Sequence, residues 1–323
     1  MHTRCKMSKS GEMLLLPPHR CGLMLSMSVE CKLAGPPAWP SARELVDGIV
    51  NDINADPVDL LSAVAGTGAG EAHYLEMLSP QYVRTLKELE QILAARCPRK
   101  PSEVCVLEIG SFLGVLCFAL RKVGFQVTAQ DIPEFQNNPR LQERYRRADI
   151  ECVGVNLKRR HFPYPDAHFD FVIMCETLEH LNFNPLPAIK EINRVMKPGG
   201  LLYLTVPNQL SAGNRLKLLR GETIQASVGQ FYEQLDLSLN MIVGLHWREY
   251  SKADLYALLE PMGFAIRHHY FYQDDKRHRY KRLKFSFKDV LGEFFPSLRP
   301  VHVLLAEKVA EDKHVFGETD ALS

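Results

Sequence analysis

The stretch that most limits what this chain can fold into is residues 104–131, VCVLEIGSFLGVLCFALRKVGFQVTAQD. A short apolar run ending in Glu108 fits a strand buried on both faces, and the glycines at 110 and 114 mark a turn that needs unusual backbone angles or a close approach. A helical segment and a second strand follow, and an acid, Asp131, closes that strand 21 residues beyond Gly110. A carboxylate at that distance is placed to accept hydrogen bonds from the paired hydroxyls of a ribose. These residues therefore predict a strand–turn–helix–strand unit that binds a nucleoside.

The turn is a poor fit to a dinucleotide. Pyrophosphate binding wants a glycine where this chain has the bulky Phe112, and Glu108 directly before the turn adds negative charge where a phosphate would be repelled. A nicotinamide dehydrogenase is disfavoured on that ground. A nucleoside that carries positive charge suits the turn better, which points to S-adenosylmethionine, with its sulfonium and free amino group.

Beyond residue 101 the pattern alternates strand and helix, as expected of a mainly parallel sheet with crossover helices. Strands are predicted at 104–108, 126–130, 150–155, 169–175, 201–206, 264–270 and 301–305. Together they make a Rossmann-like, doubly wound, seven-stranded α/β sheet with one antiparallel strand. A helix is expected over 185–196, stopped by Lys197, Pro198, Gly199 and Gly200, and another is capped by Ser251 and ends before Gly263. Upstream, residues 1–40 have no usable period and read as a leader. Residues 41–100 read as a helical preface, with one helix from Ser41 and a second opened by Ser79 and Pro80. The main domain is expected over 101–308, with inserts at 209–247 and 273–296, and a polar tail at 309–323.

The motifs taken together resemble class I S-adenosylmethionine-dependent methyltransferases over about residues 100–270. EIGSFLG at 108–114 is similar to that family's first motif, with Phe112 in place of a common glycine. The resemblance implies cofactor contacts from Glu108, Gly110, Ser111 and Gly114, a ribose contact from Asp131, and an adenine face from Ile132. It places Asn156 and Leu157 at the adenine edge, and it has Cys175, in FDFVIMCETLEHL, offering its backbone carbonyl to the methionine amino group. PGG at 198–200 and VPN at 206–208 complete the set. HLNFNPLP and HWREYS add a narrower similarity to bacterial enzymes of glycan assembly, which implies a small-molecule or glycan acceptor, such as a phosphorylated or lipid-linked sugar.

A hydroxyl acceptor calls for a group that takes its proton. His180 lies just past the fourth strand, at the sheet edge where ligands of open α/β folds bind, and His246 and Glu249 lie in HWREYS. These three are the candidate catalytic residues. Asn208, Arg248 and Tyr250 are further positions that could face an acceptor, and a helix-entry cap competes with that reading. The eight cysteines show no CxxC pair and no metal-ligand spacing, so no metal is expected, and buried thiols in a reducing cytoplasm are. A formal net charge of +1 gives no global attraction to nucleic acid or anionic lipid. The segment CETL stands where nucleic-acid amine methylases carry a polar-Pro-Pro-aromatic signature, which disfavours that class as well. The basic, aromatic-interleaved run through 276–294 suits phosphate or a membrane surface, and a solvated charge run competes with it. A non-catalytic scaffold of the same shape is the alternative to an enzyme.

Overall fold

In the computed structural model the described residues are 39–58, 60, 71–96, 99–158, 161–229, 245–273 and 287–312. Strand β1 (Cys105–Ile109) has an apolar, nearly unbroken sequence because helices cover both of its faces. It pairs in parallel with β2 (Gln126–Asp131) on one side and β4 (Phe169–Cys175) on the other. β3 (Glu151–Gly154), β5 (Met196–Pro207), β6 (Phe264–Tyr272) and β7 (Val301–Lys308) complete a seven-stranded sheet in the order β3-β2-β1-β4-β5-β7-β6. β7 runs antiparallel to both of its neighbours. Because β1 connects outward to β2 while β4 lies on its other side, the carboxyl ends of these strands flank the crevice where ligands of open α/β sheets bind.

Alternation along the strands divides the core. Val106, Ile173, Tyr203 and Val303 face a cluster built with α1 (Ala42–Ala55), α2 (Glu71–Arg96) and α3 (Val115–Val123). Leu107, Val172, Leu204 and Leu304 face the opposite cluster, with α6 (Leu186–Val195) and α8 (Lys252–Leu259). Between β2 and β3 the chain forms two short helices, α4 (Pro133–Gln136) and α5 (Pro139–Arg147). After β5 comes α7 (Ala212–Leu219), and α9 (Phe287–Phe294) precedes β7.

In α1 the buried Leu45, Val46, Ile49, Val50 and Ile53 recur at helical spacing, so one stripe meets the core. α2 is joined to the sheet by polar bonds as well. Glu88 accepts the Tyr203 hydroxyl at 2.6 Å and the Tyr270 hydroxyl, and the buried Arg84 guanidinium lies 3.9 Å above the Tyr272 ring. Both helices fall in the same compact unit as the sheet.

Three expectations change. The second upstream helix does not open at Ser79 and Pro80; it starts at Glu71 and carries Pro80 inside it. Proline removes one helical hydrogen bond, and burial of Leu75 before it and of Val83, Leu86 and Leu89 after it holds the helix through that defect. The fifth strand begins at Met196, five residues early: Met196 pairs with Phe169, and the ladder resumes at Leu201 opposite Phe171. The intervening Pro-Gly-Gly is a bulge within the strand, with Gly199 at φ +75°. The third strand is shorter than expected, Glu151–Gly154, because β2, its pairing partner, ends at Asp131, whose carbonyl takes the last bond, from the Val155 N–H.

The expected cap at Ser251 is a reciprocal box: its hydroxyl accepts from the Asp254 N–H at 3.2 Å, and its own N–H donates to the Asp254 carboxylate at 3.0 Å. The leader, most of the 209–247 insert beyond residue 229, the basic run at 274–286 and the tail beyond 312 lie outside the described residues. Among the described residues no helix is long and apolar enough to cross a membrane.

Candidate active site

The glycine turn after β1 leans on β2. The N–H groups of Gly110 and Ser111 both donate to the Gln130 carbonyl, at 2.8 and 3.1 Å, and the Phe112 N–H donates to an Asp131 carboxylate oxygen at 2.7 Å. The other Asp131 oxygen accepts the Ile132 N–H at 2.7 Å. Gly110 and Gly114 both sit at φ +78°. The close approach that demands glycine comes from the protein itself: a Cβ on Gly110 would lie 2.1 Å from the Thr177 hydroxyl oxygen, and one on Gly114 would lie 2.5 Å from that of Tyr145. Phe112, at φ +47°, is held by an edge-to-face contact with Phe135.

Each residue implied at the cofactor site has a definite place. Asp131 is partly exposed at the crevice, and burial pushes its carboxyl up to about 6, against the backbone bonds that favour the anion. Ile132 and Leu157 are both buried, in the core clusters on opposite faces of the sheet, and Asn156 uses its side-chain oxygen on the Lys158 N–H at 3.0 Å. Glu108 points away from the solvent side of the crevice. It is 5% exposed and accepts the Cys117 thiol at 2.8 Å, and burial pushes it up to about 8. Ser111 is also turned inward, accepting from the Gln136 amide at 3.0 Å. The Cys175 carbonyl accepts the Thr177 hydroxyl at 3.0 Å and keeps a second lone pair.

Thr177 was not read as important from sequence, since only the fold brings it against Gly110. It ties the ends of β1 and β4 together, donating to Cys175 and lying 3.4 Å from the Ile109 carbonyl. The partly exposed Asp131 carboxyl at the end of β2 and the Cys175 carbonyl at the end of β4 have the chemistry to accept from a diol and from the amine of S-adenosylmethionine.

Past β4, Glu176 sits at φ +48°, and a short 3₁₀ turn, Leu178–His180, follows. The HWREYS segment docks onto this turn through the Trp247 N–H on the Glu179 carbonyl at 2.8 Å and through His180 Nδ1 on the Leu245 carbonyl at 2.9 Å. His180 and His246, 66 residues apart in the chain, thereby meet with ring centroids 5.0 Å apart in an edge-to-face arrangement. His180 Nε2 lies 3.8 Å and His246 Nε2 4.0 Å from the same oxygen of Glu179, a fully buried residue that sequence reasoning missed.

Glu249 stands 3.6 Å from His246 Nδ1 and takes a bond from Asn214. Burial holds His180 down at about 4, so it is a weaker base than its residue type suggests. Glu176 and Glu179 are both raised by burial. The other positions considered serve structure: Asn208 holds the Ser297 and Arg299 carbonyls, Tyr250 is buried, and Arg248 pairs with Asp254 at 3.0 Å.

The family described as the methyltransferase domain matches residues 81–269, more than half of the chain and all of β1 to β5. The chain belongs to the class I S-adenosylmethionine-dependent methyltransferases. S-Adenosylmethionine is the cofactor of that family. Among curated relatives of this chain, a Mycolicibacterium smegmatis protein named "Probable S-adenosylmethionine-dependent methyltransferase" is 28% identical over 54% of the chain and 56% of its own length. A ubiquinone biosynthesis O-methyltransferase of Xanthomonas campestris is 32% identical over 37% of the chain and 49% of its own length. The chain thus spans about half the length of the curated relatives it matches. Among solved structures, a methyltransferase of Methanosarcina mazei aligns over 64% of this chain and 93% of its own, at 22% identity and a TM-score of 0.45.

Proposed function

We propose that this chain transfers a methyl group from S-adenosylmethionine to a hydroxyl oxygen of a small molecule or a glycan. The observation that carries the reading is the convergence of Glu179, His180 and His246 beside the end of β4, along the same sheet edge as Asp131. The cofactor, when bound, supplies an activated methyl on a positively charged sulfur. What remains for the protein is to orient the nucleophile, exclude water and remove a proton. The His-Glu cluster stands where an oxygen acceptor would give up its proton, and the name of the ubiquinone O-methyltransferase relative favours a small hydroxylated molecule within this class.

Asp131 holds the ribose diol in this reading, and Cys175 the amine. Two measurements test it. Calorimetry should give stoichiometric cofactor binding that weakens at least tenfold in Asp131→Ala, about 1.4 kcal/mol or more, as expected for hydrogen bonds to a charged group. Incubation with methyl-labelled cofactor and a panel of phenols, catechols and saccharides should label a hydroxyl oxygen. Absence of cofactor binding in the intact protein would refute the reading, as would label found only on nitrogen, carbon or sulfur.

A further inference from the structure

Glu179 is fully buried, and among the described residues neither of its carboxylate oxygens has a hydrogen-bond partner. Buried carboxyl groups are ordinarily satisfied, so this one calls for a missing partner. Two imidazole nitrogens point at it, 3.8 and 4.0 Å from Oε1, and one ligand atom from each of the three residues lies within 4.8 Å of the others. We propose that Glu179, His180 and His246 bind a divalent transition-metal ion.

The orientation of the His180 ring supports this. A carbonyl oxygen can only accept, so the 2.9 Å contact between His180 Nδ1 and Leu245 puts the proton on Nδ1 and turns the Nε2 lone pair toward Glu179. His246 has the Glu249 carboxylate 3.6 Å from Nδ1, with Glu249 held in turn by Asn214. An outer partner on the second nitrogen is the usual arrangement around metal-bound histidines. A cation with bonds of about 2.1 Å sets tetrahedral ligand atoms roughly 3.4 Å apart, so an inward movement of about half an ångström closes the observed triangle.

The donor set selects the metal class. One carboxylate with two imidazoles suits Zn²⁺, Co²⁺, Mn²⁺ or Fe²⁺ better than Mg²⁺ or Ca²⁺, which prefer all-oxygen sites. The histidine side chains are 27% and 39% exposed, which leaves the outward coordination position open. Resting on the methyl-transfer reading, that position takes the acceptor hydroxyl, whose O–H bond the ion weakens so that the proton leaves to solvent and the electron pair stays on oxygen.

Metal binding itself is tested without cofactor or acceptor. Chelator-treated, dialysed full-length protein is titrated with Co²⁺, read by visible absorption, and with Zn²⁺, read by calorimetry. One equivalent should bind, and His246→Ala, at a position 39% exposed, should weaken it at least tenfold. Glu249→Gln should weaken it less, and Glu179→Gln should abolish it. No stoichiometric binding, equal binding by wild type and His246→Ala, or thiolate-to-cobalt absorption placing the ion on a cysteine would each overturn the proposal. Cofactor calorimetry on the same samples separates that failure from failure of the methyltransferase reading.

Discussion

Gly110→Ala is the most direct test of the glycine turn. The new methyl group would lie 2.1 Å from the Thr177 hydroxyl oxygen and 3.0 Å from its methyl, so Thr177 must turn away and give up its 3.0 Å bond to the Cys175 carbonyl. A lost internal hydrogen bond costs about 1 kcal/mol, and alanine at φ +78° costs roughly 1–2 kcal/mol more. The substitution should therefore destabilise by about 2–3 kcal/mol, read from the urea midpoint at constant slope. It should also weaken cofactor binding, because the turn that places the Phe112 N–H on Asp131 moves. In a Thr177→Ala background the clashing oxygen and methyl are gone, leaving the backbone strain and a tight 3.1 Å approach to the Cβ at 177. There Gly110→Ala should cost about 1 kcal/mol less, a coupling that a double-mutant cycle resolves. Equal destabilisation in both backgrounds, or a loss under about 0.5 kcal/mol in the wild-type background, would refute the reasoning.

Further expectations concern charge and capping. The Glu108 carboxyl is raised from its ordinary 4.5 to about 8, so the folded protein holds a proton that the unfolded chain has released. The stability this adds is complete below about pH 4.5 and is lost as pH rises through 8; melts from pH 5 to 8.5 should fall, and Glu108→Gln should flatten them. Asp131, raised to about 6, should make cofactor affinity climb between pH 5 and 7 and level off above, which calorimetry at several pH values checks. Ser251→Ala breaks the capping box and should cost about 1 kcal/mol, or roughly 1–2 °C in Tm. Glu88→Ala strips Arg84 of its nearest carboxylate, 3.8 Å away, and frees two tyrosine hydroxyls, so a loss of about 3 kcal/mol or more in urea unfolding is expected.

Strands β1 and β4 were legible to within one residue because both faces are buried and their apolar runs are unbroken. Local chemistry also placed the Ser251 cap, which depends on residues three apart. Where the reading slipped, longer-range forces decided: Pro80 stays helical because Leu75 and Val83 on either side are buried, and Pro198-Gly-Gly stays in the strand because Phe169 reaches Met196. At the site, His180 and His246 were both visible as residues, yet nothing local says that they meet. That meeting depends on backbone bonds from Leu245 and Trp247 to the turn after β4. Glu179 is not singled out by the sequence because an acid beside a histidine reads as solvated surface, and only the fold, which docks Trp247 and His246 against it, makes it a buried group.

The place of β7 has a consequence for how the sheet is completed. Among the described residues it is the last strand in sequence, and it fills the slot between β5 and β6, where it makes every ladder bond those two strands have on their inner edges. Until residues 301–308 arrive, a growing or clipped chain carries two raw strand edges, one of them the twelve-residue β5. A truncation just before Val301 should thus give a sticky, aggregation-prone product rather than a smaller working protein, although every residue implied at the cofactor site precedes it.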